Sequence, residues 1–299
     1  MPPDIAVVIV AYNSADVIAG LLDSLPAALE DLTADVVVVD NGSSDGTATL
    51  VEARTDCRLV RSPNTGYAGG INRGVREAAP APAILVLNPD VRLAPDSVPA
   101  MRAAMALPGT AIVAPRVVNE NGSLNRSLRR EPTLSRALGL TRTGLACFSE
   151  YVDDEADYGS PRTVDWALGA VLLVSREAHL LLGGWDASYF LYSEEVDLCL
   201  RARDLGLATR YEPRARALHI GGASGRNDKT HVMQIINRVR LYARRHRTPA
   251  AAAYLGLAFL SELSWSVRGR PESRAAVRAL LVPSSRPVEL GLGRGFIPR

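Results

Sequence analysis

Residues 36–47 read VVVVDNGSSDGT, an apolar run that ends abruptly in a carboxylate, an amide and a glycine-rich turn. A run without polar alternation is typical of a strand that is buried on both faces, as in a parallel sheet. Open α/β sheets bind their ligands beyond the carboxyl ends of such strands. The side chains from Asp40 onward are therefore predicted to face a ligand rather than a core.

Two further strands of the same kind lie on either side of this one along the chain. Residues 5–10 (IAVVIV) run into the sequence AYNS, and residues 83–87 (AILVL) run into NPD. Helical patterns lie between the strands, at 16–25, 47–54 and 69–79. This alternation predicts right-handed βαβ units, and hence an α/β protein with a doubly wound, mostly parallel sheet flanked by helices. The three polar strand ends then lie along one edge.

Length and cysteine content limit the class of protein. At 299 residues, of which 47% are hydrophobic, the chain has enough apolar material for one large domain or two modest ones. Its three cysteines, Cys57, Cys147 and Cys199, are far apart and odd in number, which favours reduced thiols over a disulfide framework. The chain enters its first strand without the pattern of a secretory signal. We therefore expect a cytoplasmic protein.

Charge is distributed unevenly along the chain. Residues 226–299 contain 14 basic and 4 acidic side chains, a net charge of +10, whereas residues 1–225 carry −8. The amphipathic, arginine-rich pattern of 232–247 favours an anionic membrane surface over nucleic acid as the partner. Residues 250–267 are mostly apolar but carry Glu262, which is marginal for a spanning helix. The alternative is a C-terminal helical hairpin packed on the domain, with its arginines in solvent.

Several short motifs follow one another in order: VAYN at 10–13, VDNGS at 39–43, NTGYAGGIN at 64–72, NPD at 88–90, GGWD at 183–186, YSEEVDL at 192–198 and a histidine at 219. Together they resemble the inverting glycosyltransferases of family 2, and within that family the bacterial rhamnosyltransferases of cell-surface polysaccharide synthesis. The resemblance covers residues 4–246 and implies the GT-A fold. We expect a catalytic domain at 1–225, basic and apolar C-terminal helices at 226–282, and a loose tail at 283–299.

The resemblance implies a nucleotide site at the sheet edge. It places Asp40 against the base or ribose of a nucleotide sugar. The other residues expected to contact the nucleotide are Ala11, Tyr12, Asn13, Asn64, Gly69, Asn72 and Asn88. A structural alternative is that Asp40 and Asp45 serve the turn and cap the following helix. The glycine-rich loop lacks the spacing of a dinucleotide site and the lysine of a P-loop, which argues against NAD binding and ATP hydrolysis.

The resemblance also implies a divalent metal. The NPD sequence stands where the family has its D-x-D metal motif, so Asp90 would supply an oxygen ligand to Mg²⁺ or Mn²⁺. Asn88 replaces the first carboxylate, so the protein offers less negative charge there. His219 stands where related enzymes place a histidine on the metal, and an imidazole ligand favours Mn²⁺. A satisfied structural histidine is the alternative.

The family's catalytic base is the second carboxylate of a pair ahead of a helix. That residue here is Glu195, with Glu194 as the alternative. Asp197 is expected to contact a sugar or to support the helix, and a set of carboxylates that merely complements the helix dipole is the structural alternative. Trp166 is expected beneath a sugar, although tryptophan is also common in cores.

A poorly periodic segment, residues 119–158, is interpreted as a mobile loop on the acceptor side of the site. Its arginines Arg126, Arg129 and Arg130 are candidates for an acceptor diphosphate, against the alternative of a solvated loop.

These assignments predict a metal-dependent inverting glycosyltransferase. We expect a dTDP- or UDP-linked donor, with L-rhamnose from dTDP-L-rhamnose favoured, and a polyprenyl-diphosphate-linked or cell-wall saccharide as acceptor. We expect the enzyme at the cytoplasmic face of the plasma membrane, without a nucleic-acid partner. A UDP-hexose or UDP-galactofuranose transferase and a non-catalytic nucleotide-sugar binder are the alternatives. The oligomeric state is left open.

Overall fold

A computed structural model describes residues 1–221, 227–293 and 295–296, with residue 142 by its backbone alone. Eleven strands are present in the described chain: β1 (Ile5–Ala11), β2 (Ala34–Asp40), β3 (Arg58–Arg61), β4 (Ala83–Leu87), β5 (Val91–Leu93), β6 (Thr110–Asn119), β7 (Leu128–Arg129), β8 (Arg162–Val164), β9 (Trp166–Ala167), β10 (Val171–Ser175) and β11 (Ala208–His219). The helices are α1 (Ile18–Leu29), α2 (Thr47–Glu52), α3 (Gly66–Glu77), α4 (Ser97–Met105), α5 (Leu134–Ala137), α6 (Arg176–Leu182), α7 (Glu194–Asp204), α8 (Asp228–Arg245), α9 (Thr248–Val267) and α10 (Pro271–Leu281).

Nine strands form one central sheet in the order β3-β2-β1-β4-β10-β6-β11-β5, with β8 paired to β11. The pairs β1–β2, β1–β4, β2–β3 and β6–β11 are parallel, and the antiparallel strand β10 lies between β4 and β6. Six strands therefore run in one direction, and β5, β8 and β10 oppose them. Buried clusters lie on both faces of this sheet, as the continuous apolar strands predict. The predicted doubly wound, mostly parallel sheet is confirmed.

Helix α3 packs unusually close to β1 because two of its residues are glycines. A Cβ at Gly70 would lie 2.6 Å from Val10 Cγ1, and one at Gly74 would lie 2.4 Å from Val8 Cγ1. This contact sets the glycine-rich loop against the sheet edge. The helix begins three residues before the predicted position, at Gly66, and α1 extends to Leu29 because it accommodates Pro26 within its last turn.

The segment at 119–158 is more ordered than predicted. It contains β7, α5 and three 3₁₀ turns, at Thr141–Thr143, Ala146–Phe148 and Glu155–Tyr158. The buried Tyr158 hydroxyl accepts from Leu128 N at 3.1 Å and donates to Val152 O at 3.1 Å. Short elements of this kind carry too little periodicity to be detected from sequence. The prediction of a mobile loop is corrected accordingly.

Helices α8, α9 and α10 form a C-terminal layer with its own apolar cluster. Most arginines of α8 are directed at protein groups rather than at solvent. Arg238 pairs with Glu150, Arg240 is fully buried against Ser188 and Asn237, and Arg245 lies 2.8 Å from Asp204. Arg244 pairs with Asp186 in the same way. This corrects the prediction that α8 presents a cationic face to a membrane, because Arg238, Arg244 and Arg245 are paired with carboxylates of the protein and Arg240 is buried.

Helix α9 is long, apolar and largely exposed. Within the described chain it is the one helix whose length and composition would allow it to cross a membrane. It is fastened to α8 by His231 and Glu262, which are both buried and lie 2.9 Å apart. The tail is less loose than predicted, since Leu290 is buried and Arg286 Nε donates to Ala279 O at 3.0 Å. The expected domain boundary at 225/226 lies outside the described residues.

Candidate functional site

The ends of β1, β2 and β4 lie side by side, as the sequence predicts. Ala11 is in register with Asp40 across the β1–β2 pair, and Ala11 O accepts from Asn41 N at 2.8 Å. β4, which leads into Asn88 and Asp90, lies on the other side of β1. Asp40 and the residues that follow β4, among them Asp90, thus belong to the same edge of the sheet.

A rigid turn surrounds Asp40. Asn13, at φ 49°, accepts from Ser44 N at 2.8 Å, and its own N–H donates to Ser43 Oγ at 2.9 Å. Asp45 accepts from Thr47 Oγ1 at 2.6 Å. It therefore serves the turn and the start of α2, which is the structural alternative to a nucleotide contact. Asp40 itself is 5% exposed and accepts only a long 3.4 Å bond from Ser43 N among its described contacts. Its carboxylate therefore retains acceptor capacity for a ligand.

Two residues expected to hold the nucleotide make contacts within the protein instead. Asn64 Oδ1 accepts from Asn41 Nδ2 at 3.1 Å and from Gly66 N at 3.0 Å. Asn72 donates to Trp185 O at 2.7 Å and accepts from Trp185 N at 3.1 Å. Both side chains shape the loops around the cleft, and their expected contact with a nucleotide stays a prediction. Asn41, which was not among the candidates, is the residue that joins the two turns.

The remaining nucleotide candidates differ in exposure. The Tyr12 ring is 51% exposed at the rim of the edge, where it is available to a ligand, whereas Ala11 is buried. Gly69 lies within α3, and a Cβ there would be 2.6 Å from Thr65 Oγ1. Asn88 is partly buried, and its N–H donates to Ala170 O at 2.9 Å.

Gly66 brings the glycine-rich loop into contact with the segment that precedes α7. With φ at +79°, a Cβ on Gly66 would lie 2.3 Å from Phe190 O, so the contact requires glycine. Next to it, Tyr67 N donates to Phe190 O at 2.6 Å, and the Tyr67 hydroxyl donates to Gly169 O at 3.1 Å. The two loops therefore form a single wall of the cleft.

Asp90 and His219 are brought together although 128 residues separate them in sequence. β5 pairs antiparallel with β11, and His219 Nε2 lies 3.3 Å from Asp90 Oδ2. Asp90 is 5% exposed, and its Oδ1 is buried without a hydrogen-bond partner among the described residues.

This pair fits a divalent metal. Its 3.3 Å spacing is near the roughly 3 Å between adjacent ligands of an octahedral ion with bonds of about 2.1 Å. The orphaned Oδ1 adds a free oxygen to the donor set. No cluster of three or more potential metal ligands occurs in the described parts of the chain. A metal held here would therefore need further ligands from the substrate, as when it bridges phosphate oxygens.

Glu194 and Glu195 open α7 behind the Phe190 segment. Glu194 is 4% exposed and Glu195 is partly buried, and each has one carboxylate oxygen buried without a described hydrogen-bond partner. Burial raises the pKa of Glu194 well above its ordinary value, with a further contribution from the Glu195 charge. Burial also raises the pKa of Glu195. Such paired, desolvated carboxylates are typical of catalytic sites.

Tyr67 lies between the glycine-rich loop and the start of α7. Burial raises the pKa of its hydroxyl well above the usual range, and Glu194, Glu195 and Asp90 each raise it further. The hydroxyl donates to Gly169 O, and a Cβ on Gly169 would lie 3.3 Å from Glu195 Cβ, so the loop and the helix meet at this residue. The sequence analysis did not select Tyr67, although its place within the NTGYAGG motif could have indicated it.

Asp197 and Trp166 are placed differently from the sugar-binding prediction. Asp197 Oδ2 lies 2.6 Å from Arg201 Nε, and Arg201 donates onward to Leu182 O and Gly184 O. The ion pair supports the structural alternative of helix support, and the expected sugar contact of Asp197 stays a prediction. Trp166 is 7% exposed in the core, and its indole N–H donates to Arg130 O at 3.0 Å. It therefore lies beneath the surface, and no described contact gives it a ligand-facing position.

Helix α8 fixes the segment that carries the glutamates. The fully buried Asn237 amide donates to three carbonyls, Tyr189 O at 2.7 Å, Leu191 O at 2.8 Å and Tyr192 O at 3.1 Å. Tyr192 and Ser193 have φ of 68° and 74°, which is costly for residues with a Cβ. The sequence analysis missed Asn237, because an amide within an amphipathic pattern gives no signal of what it touches.

Comparisons with known proteins agree with this geometry. The model of Glycosyl transferase family 2 matches residues 6–156. An N-acetylglucosaminyl-diphospho-decaprenol L-rhamnosyltransferase of Mycobacterium tuberculosis (strain H37Rv) is 32% identical over 245 residues, or 76% of this chain and 79% of the relative. A low-salt glycan biosynthesis hexosyltransferase of Haloferax volcanii is 29% identical over 68% of this chain and 62% of its own length.

Solved structures share the fold. A mannosyltransferase of Pyrobaculum calidifontis, in complex with GDP-Man and Mn²⁺, matches with a TM-score of 0.57 and 18% identity, over 99% of this chain and 82% of that one. GalNAc-T7 with UDP, GalNAc and Mn²⁺ matches with a TM-score of 0.61 and 16% identity, over 80% of this chain. The present chain spans about half of GalNAc-T7, 47% of that chain. These neighbours are GT-A glycosyltransferases, and the predicted GT-A fold is confirmed.

Proposed function

We propose that this chain, which belongs to glycosyl transferase family 2, moves L-rhamnose from dTDP-L-rhamnose to a polyprenyl-diphosphate-linked saccharide with inversion at the anomeric carbon. The observation that carries the proposal is that the glycine-rich loop, the end of β4 and the start of α7 meet at residues 169–170. The Tyr67 hydroxyl donates to Gly169 O, and Asn88 N donates to Ala170 O. A Cβ on Gly169 would lie 3.3 Å from Glu195 Cβ. Asp40 lies on the same sheet edge. One cleft can therefore hold a nucleotide, the departing diphosphate and an attacking hydroxyl.

The nucleotide end is assigned to the β1–β2 edge. Asp40 accepts hydrogen bonds from the base or ribose, and the partly exposed Tyr12 ring lies beside it. Asn13 and Asn41 keep the surrounding turns in place through their backbone contacts. Because these turns are fixed before the ligand arrives, little ordering entropy is lost on binding.

The diphosphate end is assigned to Asp90 and His219, which would hold Mg²⁺ or Mn²⁺. A bound divalent ion supplies a Lewis acid that neutralises charge on the departing diphosphate. Asp90 contributes the hard oxygen ligand and His219 the imidazole nitrogen, which favours Mn²⁺. With Asn88 in place of a carboxylate, the protein contributes one negative charge to this position, so the donor's own phosphates are needed for tight metal binding.

Proton removal is assigned to Glu195. The acceptor hydroxyl attacks the anomeric carbon from the side opposite the leaving diphosphate, and Glu195 takes the hydroxyl proton as the new bond forms. Glu194 is the more deeply buried of the two, and its raised pKa favours the protonated form. We assign it to positioning Glu195 and to keeping the pair from carrying two charges.

The place of action is assigned to the cytoplasmic face of the plasma membrane. The rhamnosyltransferase of Mycobacterium tuberculosis is named for a decaprenol-linked acceptor, and an acceptor of that class resides in a bilayer. Helix α9 exposes Leu260 and Val267, and Trp265 lies between Arg268 and Arg270 with both guanidinium carbons within 5 Å of its ring. An exposed apolar helix that ends in tryptophan and arginine suits a membrane interface.

A donor panel tests the proposal. Purified protein is incubated with Mn²⁺, a polyprenyl-diphosphate-linked N-acetylglucosamine and, in separate reactions, dTDP-L-rhamnose, UDP-glucose, UDP-galactofuranose and GDP-mannose. We expect nucleotide release and an extended lipid-linked product with dTDP-L-rhamnose. Turnover with a UDP donor alone would refute the donor assignment, and nucleotide binding without turnover by any donor would favour the non-catalytic binder.

A further inference from the structure

A second cavity lies beside the carboxylate cleft, between the end of β6 and the segment at 124–153. It has a volume of about 440 Å³. Its lining includes Asn119, Asn125, Arg126, Arg129, Thr141 and Tyr151, together with Leu124 and Asp153. Because Asn119 is in register with His219 across the β6–β11 pair, the cavity begins next to the Asp90–His219 pair.

Arg129 is the unusual member of this lining. It is only 9% exposed, and no carboxylate lies within 4.0 Å of it among the described residues. Its guanidinium carbon lies 3.9 Å from the centre of the Tyr151 ring, and Nη1 donates to Leu128 O at 3.0 Å. Two acidic residues of neighbouring segments are already paired elsewhere, Glu131 with Arg203 and Glu150 with Arg238. A buried cation without a counter-ion is costly unless an anion arrives to complement it.

Arg126 and the polar residues of the lining also favour an anion as the ligand of this cavity. Arg126 is exposed, and its Nε lies 3.8 Å from Asp153 Oδ1, a separation too long for a strong bond. Asn119, Asn125 and Thr141 contribute amide and hydroxyl donors. The carboxylate of Asp153 opposes an anion, but at 57% side-chain exposure it is largely screened by solvent.

The position of Arg129 relative to Glu195 indicates which anion belongs here. Arg129 is in register with Trp166 across the β7–β9 pair, and a Cβ on Gly169, three residues after Trp166, would lie 3.3 Å from Glu195 Cβ. An acceptor whose hydroxyl meets Glu195 therefore has its reducing end, and the diphosphate attached there, within reach of the cavity. The donor diphosphate is already assigned to Asp90 and His219, which border the cavity at Asn119.

We propose that Arg129 and Arg126 form the binding site for the diphosphate of the lipid-linked acceptor. This inference rests on the proposed function for the identity of the acceptor, but its binding test does not require turnover. Arginine suits the task because its planar fork binds phosphate oxygens in pairs, and Tyr151 holds the Arg129 fork in one orientation. Binding would also bring together Arg126 and the partly exposed Tyr151 side chain across the cavity mouth.

The test measures two ligands on the same variants. Farnesyl diphosphate in detergent micelles represents the acceptor, and dTDP with Mn²⁺ represents the donor. We expect Arg129→Lys and Arg126→Gln each to weaken farnesyl diphosphate binding by about tenfold, because each removes charge-assisted hydrogen bonds, and to leave dTDP affinity unchanged. Asp90→Asn should weaken the binding of dTDP with Mn²⁺ and leave the affinity for farnesyl diphosphate unchanged. Arg73→Gln, an exposed arginine paired with Glu77 on α3, is the matched control.

Each outcome supports or overturns the assignment. Loss of dTDP affinity with unchanged farnesyl diphosphate affinity would assign the cavity to the donor and overturn the proposal, as would unchanged affinity for both ligands in folded variants. If Arg129→Lys does not fold, the exposed Arg126→Gln distinguishes the same outcomes. Selective loss of farnesyl diphosphate binding supports the site, and it does so even in a protein that transfers no sugar from any donor, a result that would refute only the proposed function.

Discussion

At the scale of single residues, the site depends on carboxyl groups held in an unfavourable environment. Glu194, Glu195 and Asp90 each have an oxygen buried without a described hydrogen-bond partner. Buried acceptors without partners cost free energy of folding, on the order of 1–3 kcal/mol each. Residues that a fold tolerates at such a cost are commonly those that a ligand, a proton or a metal will satisfy.

Replacement of Glu195 by Gln removes the proposed base while it preserves the side-chain shape. We expect turnover to fall by about 10²- to 10⁴-fold, the usual contribution of general base catalysis. The affinity for dTDP with Mn²⁺ should be unchanged, and isothermal calorimetry can measure it on the same sample. Glu177→Gln, at an exposed glutamate in the first turn of α6, is the control. Full activity of the Glu195 variant would assign the base elsewhere.

The raised pKa of Glu195 predicts the acid limb of the pH profile. A general base works only when it is ionised, and burial raises the pKa of this carboxyl above its ordinary value. Activity should therefore decline as the pH falls, and the decline should begin at a higher pH than an exposed glutamate would give. A profile of kcat/KM against pH measures this limb for the free enzyme. An acid limb at the pKa of an ordinary glutamate would contradict the assignment.

At the scale of elements, α8 holds the base-bearing segment in place. Asn237 satisfies three carbonyls between Tyr189 and Tyr192, immediately before two residues with positive φ. Local strain of this kind persists only where the surroundings impose it. Helix α8 thus holds the segment that precedes Glu194 and Glu195, although it contributes no proposed reacting group.

Asn237→Ala tests that role. The substitution removes the amide group that the three carbonyls share as a donor, so we expect a loss of about 1–3 kcal/mol in the free energy of unfolding. We also expect a lower kcat with a smaller change in the KM for the donor, because the glutamates lose their position while the β1–β2 edge is untouched. Urea denaturation and steady-state kinetics measure the two effects. Gln234→Ala, at an exposed position of the same helix, should change neither.

Helix α9 carries a separate prediction about membranes. The double substitution Leu260→Ser and Leu263→Ser removes two exposed apolar side chains. Complete transfer of one leucine side chain from water into an apolar environment is favourable by about 1.5–3 kcal/mol. Binding to vesicles of phosphatidylglycerol and phosphatidylcholine, measured by co-sedimentation, should fall at least about tenfold. Leu205→Ser, at an exposed leucine beyond the end of α7, is the control. If the unaltered protein, the double variant and the control all sedimented equally with vesicles, α9 would not be the part that binds the membrane.

At the scale of the whole molecule, the nine-stranded sheet brings distant segments to one edge. Asp40, Asp90 and His219 come from the ends of β2, β4 and β11, and the glutamates come from the helix before β11. The antiparallel β5–β11 pair is what places His219 beside Asp90. A metal bound there would therefore link the first half of the fold to the second.

Metal removal should reveal that link. We expect dTDP to raise the Tm of the protein clearly in the presence of Mn²⁺, and much less after treatment with EDTA, because binding to the folded state stabilises it by mass action. Asp90→Asn and His219→Ala should each reduce the Mn²⁺-dependent part of the shift. His246→Ala, at a histidine beyond the end of α8, should not. If dTDP raised the Tm of the unaltered protein equally with and without Mn²⁺, the proposed metal role would be excluded.

How much could be predicted from sequence depended on the range of the interactions. The strands at 5–10, 36–39 and 83–87 were predictable because continuous apolar runs depend on burial alone. The pairing of Asp90 with His219 was predicted only through a family resemblance, since no local pattern joins residues so far apart. The inward arginines of α8 were not predictable, because an amphipathic pattern does not distinguish solvent from an acidic partner such as Glu150.

The contact between Gly66 and Phe190 joins the glycine-rich loop to the segment that precedes the glutamates. Because the first belongs to the proposed nucleotide end and the second to the proposed acceptor end, we expect the two substrates to bind interdependently. Compounds that fill the nucleoside end alone should consequently alter how tightly the lipid substrate is held, and an acceptor affinity that such compounds leave unchanged would contradict this coupling.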